Sequence, residues 1–141
     1  MTGPTAVTAG PRTAFPRTVR AAVALQTLAL FFQASTAGAL LVSSHGALLH
    51  DVGSRVMYGA SMLYVVAAVL AWRRGGGGRP VLYASGLLAL ASVQVVLGIA
   101  HLPAFHVPLG VAMVALSTLD LARTLTGPAG TRAGARVPGP A

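Results

Sequence analysis

Four histidines are the residues of this chain best suited to chemistry, and they stand in two copies of one pattern. His45 and His50 form a His-x4-His pair, and His101 and His106 form another 56 residues later. The same offset aligns His50, Ser54, Met57 and Ser61 with His106, Gly110, Met113 and Ser117. Neutral imidazoles ligate transition metals and iron, and they carry protons near neutral pH. Few other side chains compete for such roles: there is no Cys, Glu or Lys, and the acidic side chains are Asp51 and Asp120 alone. Thiolate nucleophiles, Cys-ligated zinc and iron–sulfur clusters are thereby excluded. The four glycines at 75–78 do not make a phosphate loop, since no strand precedes them and no Lys-Ser/Thr follows. Nothing indicates nucleophilic, phosphoryl-transfer or hydrolytic chemistry, and no catalytic activity of the chain's own is expected.

The elements that must position these histidines are membrane helices. Of 141 residues, 55% are hydrophobic and 9% charged, where a soluble domain carries about 25% charged. Four apolar runs, about 19–43, 48–72, 81–101 and 106–125, each reach the roughly 20 residues needed to cross about 30 Å of hydrocarbon. Backbone groups in lipid must pair within their own segment, which requires helix, and four strands could not close a barrel. The first run exceeds a cleavable signal core of about 7–15 residues and reads as a retained span. The segments 1–18 and 126–141, rich in Gly, Pro, Thr and Ala, read as disordered tails. The fold expected is an all-α, four-helix transmembrane bundle, up-down-up-down, built from a duplicated helical hairpin.

Charge placement sets the sidedness. Arg12, Arg17, Arg20, Arg73, Arg74, Arg79, Arg123, Arg132 and Arg136 fall on one side, and Arg55 alone on the other, four residues after Asp51 and able to pair with it. The positive-inside rule then puts both termini in the cytoplasm of a cell carrying this protein in its plasma membrane, with the histidine hairpins outside. The net charge of +8 is this arginine skew and implies no nucleic-acid partner. Arg, Ala and Gly richness without Lys points to a GC-rich, bacterial coding sequence.

Steps of four, seven and eleven residues keep one helical face, so the two His-led stripes should line the bundle interior, where polar groups escape lipid. In the simplest bundle the second and fourth helices are diagonal, roughly 13 Å apart when neighbours pack at about 8–10 Å. Two histidines reaching one iron from opposite sides need a comparable span. His50 and His106 open those two helices at matching depth, and Ser54 and Gly110, one turn on, would leave room for a flat macrocycle. The pair is thus a candidate for axial ligation of a b-type heme, with Gln94 and His101, on one face of the third helix, as outer partners.

The stretch Gln94-Val-Val-Leu-Gly98, followed by His106-Val-Pro-Leu-Gly110, resembles one half of the heme A synthase family, over about 25–121. That family is built from two four-helix halves, each with a His on its second and fourth helices near the outer side. The resemblance implies that His50 and His106 are axial ligands. The family's catalytic half carries a Glu shortly before its second-helix His, and this chain has no Glu. What the resemblance implies is therefore a non-catalytic heme b module for electron transfer or heme handling, working with a redox or other membrane-protein partner.

Other readings stand beside it. One is a cofactor-free accessory or helix-packing protein in the bilayer. Another is a small transporter, or a metal site using His45, His50, His101 and His106 if the two turns meet. Met57 and Met113 fit core filling better than axial ligation. Gln33 and Gln94 fit hydrogen bonding between helices. Asp120 reads as a shallow interfacial partner of Arg123, with a proton-relay acid as its other reading. Pro108 is expected in the first turn of the fourth helix.

Overall fold

The computed structural model describes residues 15–126. It contains four helices, α1 (Arg17–Ala39), α2 (Gly46–Arg73), α3 (Arg79–Ile99) and α4 (Pro103–Thr126), and no strand among the described residues. All four are long and apolar enough to cross a membrane. The chain is an all-α four-helix bundle of the multi-pass membrane type. The tails expected at 1–18 and 126–141 fall largely outside the described residues, although α1 already begins at Arg17.

The helices form a ring in which α1 packs on α2 and α4, and α3 packs on the same two. This leaves α2 and α4 on one diagonal, as short antiparallel connections require. Ala and Gly on the inner faces bring the backbones close, and two clusters fill the centre. Val19, Val23, Tyr64, Ala68, Ala84 and Leu87 pack at the arginine-bearing end. Ala29, Leu30, Met57, Ala60, Ala91 and Met113 pack at mid-height. Large apolar side chains such as Leu28, Leu82, Val111 and Phe105 remain on the outside, the arrangement that hydrocarbon favours.

Residues 56 apart meet across the bundle axis. His50 lies beside His106, and the Tyr64 hydroxyl donates to Asp120 Oδ2 at 2.7 Å. Met57 and Met113 are both buried between these levels. Contacts between equivalent positions are what a two-fold axis along the bundle produces, so the sequence repeat has a spatial counterpart.

Helix ends differ from the expected spans by two to four residues in places. The third span was expected to run to His101, but α3 stops at Ile99. His101 takes φ +53°, while His101 N–H donates to Gly98 O at 3.1 Å and Leu102 N–H to Leu97 O at 3.0 Å. These paired bonds form a Schellman cap with His101 at the left-handed position usually held by Gly. α4 then starts at Pro103, so Pro108 lies inside the helix and not in its first turn. There it leaves the Ala104 carbonyl without its helical donor. The expected Asp51–Arg55 pair is present at 3.1 Å on the exposed surface.

Candidate functional site

His50 is the fifth residue of α2 and His106 the fourth of α4, so the two rings enter the bundle at one level from opposite corners. Their centroids are 6.2 Å apart with planes inclined by 66°. Neither ring is fully buried; both border a cavity of about 440 Å³ whose lining includes Gln33, His50, Gln94, His106 and Gly110, with Met57 and Met113 among its deeper residues. That volume falls in the usual range for small-molecule sites, about 300–1,000 Å³.

Hydrogen bonds hold each ring from its outer side. His106 Nδ1 is 3.0 Å from the Gln94 carbonyl oxygen. A carbonyl only accepts, so Nδ1 carries the proton and Nε2 keeps its lone pair. His50 is held through different partners. The Thr36 hydroxyl donates to Gln33 O at 2.9 Å, which leaves its oxygen to accept from His50 Nδ1 at 3.2 Å. His50 Nε2 then accepts from Gln33 Nε2 at 3.1 Å. His106 therefore holds Nδ1–H with its Nε2 lone pair free, whereas the Gln33 amide lies 3.1 Å from His50 Nε2 and 3.3 Å from its Nδ1 and must turn aside for that ring to ligate a metal through Nε2.

Two glutamines brace the pair. Gln33 of α1 lies on His50, and Gln94 of α3 donates to His106 O at 2.8 Å. Each fits because a glycine faces it. A Cβ at Gly110 would come within 2.9 Å of Gln94 Nε2, and one at Gly53 would collide with Gln33 Oε1 and approach Phe32 and Thr36. The side-chain oxygens of Gln33 and Gln94 are buried with no hydrogen-bond partner, an unusual cost for two acceptors beside one cavity.

The residues expected at the site are thus partly assembled. His50, His106, Gly110 and Gln94 come together on the cavity. Ser54 does not line it; its hydroxyl donates to Asp51 O at 2.8 Å, and Gly53 takes the inward position. The strict offset from Gly110 misplaced that residue, because position i+3 rather than i+4 faces α1 here. His101 is exposed in the α3–α4 turn, held by its capping role and absent from the Gln94 face. His45 is also exposed, near the Ser44 hydroxyl. The four histidines do not converge, and among the described residues no three His, Cys, Asp or Glu side chains are placed to share an ion. Asp120 forms no ion pair with Arg123. It is buried on Tyr64, while Arg123 lies over the Tyr83 ring at 5.6 Å.

Sequence reasoning missed Thr36 and Gly53. Thr36 has no counterpart in the repeat, since His106 uses a main-chain carbonyl for the same purpose. No protein-family profile, curated protein or solved structure matches the chain.

Proposed function

We propose that this small multi-pass membrane protein holds a b-type heme between His50 and His106 and serves electron transfer or heme handling with a membrane partner. The observation that carries this reading is the pair of imidazoles brought together from α2 and α4 at one level beside the cavity. Their 6.2 Å centroid separation is of the order needed for two imidazoles to ligate one ion at about 2.0 Å each.

The residues present fit such a group. The protein offers two nitrogens from opposite sides and, among the described residues, no third His, Cys or acidic ligand beside them. A six-coordinate centre therefore needs its remaining donors from the bound molecule, and a tetrapyrrole supplies four in a plane. The cavity reaches from the rings to Met57 and Met113 and is mostly apolar in its lining residues. The unpartnered Gln33 and Gln94 oxygens supply polar contacts beside the rings. When bound, the heme would supply one-electron chemistry; the chain's own part is to bind, orient and shield it. The resemblance to one half of heme A synthase supports the same assignment.

Sidedness belongs to this proposal. Arg17, Arg20, Arg73, Arg74, Arg79 and Arg123 collect at the end opposite the histidines. The positive-inside rule makes that end cytoplasmic, with both termini inside and the His pair toward the outer face of the plasma membrane.

The test is purification of the full chain, titration with hemin, and absorbance and metal measurement on one sample. A Soret band at one heme per chain, weakened strongly by His50→Ala and by His106→Ala, is expected. A folded protein that stays colourless with excess hemin refutes the proposal. Stoichiometric copper or zinc with no Soret band would move the assignment to a bare two-histidine metal site.

A further inference from the structure

The inner half of the bundle carries a second polar system that the histidine cavity does not use. Gln26 of α1 donates to Ser61 Oγ of α2 at 3.2 Å. Thr27 of α1 is 2.7 Å from Ser117 Oγ of α4, and its own proton goes to Val23 O at 2.8 Å. One turn further in, Tyr64 donates to Asp120. On α4 the residues Ser117, Asp120 and Thr124 are all buried and, at steps of three and four, share one face. The Gln26 side-chain oxygen is fully buried and has no partner. Met57 and Met113, both buried, lie one turn above Ser61 and Ser117 and stand between this column and the cavity.

We propose that Tyr64 and Asp120 form a proton-binding site on the bundle axis, exchanging with water at the arginine-bearing end by way of Thr124. A carboxyl among apolar side chains at this depth is costly as an anion unless a cation pairs with it. No ion pair to Asp120 exists among the described residues; the one ion pair there is Asp51–Arg55. The ionisable groups that face this pair are Tyr83 of α3 and Arg123, one turn along α4, whose charge reaches Asp120 without forming an ion pair, with Arg20 of α1 at the same end. Arg123 is drawn to the Tyr83 ring.

The Tyr64 bond occupies Oδ2 only. Asp120 can therefore form an O–H bond at Oδ1 with a proton delivered from water, and lose it again, without breaking that contact. Asp120 lies six residues from the end of α4, about 9 Å of helix, and Thr124, one turn on along the same face, is the buried hydroxyl between; it donates to Leu121 O at 2.8 Å, which leaves its oxygen to accept a proton from the Asp120 side. This inference does not depend on the heme assignment.

The acidic inventory makes the test clean, since Asp51 and Asp120 are the only side-chain carboxyls. Infrared spectra of the full chain in lipid at neutral pH should show the carbonyl band of a protonated carboxyl. Asp120→Asn should abolish it, Asp51→Asn should keep it, and Tyr64→Phe should shift its frequency without removing it. Transfer to D₂O should shift the band, and Thr124→Val should slow that shift severalfold. Helical circular dichroism checks that each variant folds. A spectrum without a band assignable to Asp120, or a band that ignores D₂O, overturns the proposal. So does a band that appears only when Na⁺ is withdrawn, because a metal cation would then be the occupant.

Discussion

Replacing Thr36 by Val isolates the contribution of the imidazole's outer hydrogen bond. Thr36 is buried, and valine has nearly its shape, so the change opens no cavity. What disappears is the hydroxyl 3.2 Å from His50 Nδ1, which the proposed ligand geometry needs as the acceptor of the Nδ1 proton. His50 then has no partner holding its proton on Nδ1, and the alternative tautomer places a proton on Nε2, where a metal would bind. Loss of such an outer partner usually weakens a metal site by about 10–100-fold, or roughly 1.4–2.7 kcal/mol at about 1.4 kcal/mol per decade. The lower end is expected, because His106 keeps its tautomer through the main-chain carbonyl of Gln94, which no side-chain substitution removes. Hemin titration followed by absorbance should show affinity reduced about tenfold. Thr36→Ser should restore most of it, because the hydroxyl returns. Equal hemin affinity in Thr36→Val and the parent protein, with unchanged thermal stability, would refute the assignment of Thr36 as the residue that orients His50.

Other substitutions probe separate parts of the structure. His101→Gly should raise stability by about 0.5–1 kcal/mol in a denaturant titration, because glycine relieves the left-handed cap, and should leave hemin binding unchanged. Gly53→Val should cost about 1–3 kcal/mol by forcing Gln33 and Phe32 aside, and should weaken hemin binding in the same preparation. Tyr64→Phe should cost about 0.5–1.5 kcal/mol, read as a lowered unfolding midpoint, since a buried carboxyl loses its donor. Arg55→Ala, which removes only an exposed helical ion pair, should change stability by less than about 0.5 kcal/mol.

The four spans were legible because each apolar run exceeds what lipid requires, and that signal is carried by about twenty residues at once. Their ends were less so. Whether α3 stops at Ile99 or continues to His101 depends on two main-chain bonds in a cap, and no side-chain pattern announces a left-handed histidine. The meeting of His50 with His106 was readable from one repeated offset, which also placed Met57 and Met113 in the core. The same offset pairs Tyr64 with Asp120, a relation visible in the sequence but hidden by the different side chains. Ser54 was assigned by carrying the offset too literally: on a 3.6-residue helix, a neighbour one position away can own the inward face, and Gly53 does. Thr36 carried no signal, since its use depends on where α1 places a hydroxyl relative to a ring on another helix.

The most direct measurement is electron paramagnetic resonance of the ferric heme complex of the full chain. The account predicts a low-spin, six-coordinate signal from two imidazole ligands. His50→Ala and His106→Ala should each convert it to a high-spin, five-coordinate one, and the double variant should hold no stoichiometric heme. A high-spin signal in the parent protein, or a low-spin signal that survives loss of either histidine, would contradict it.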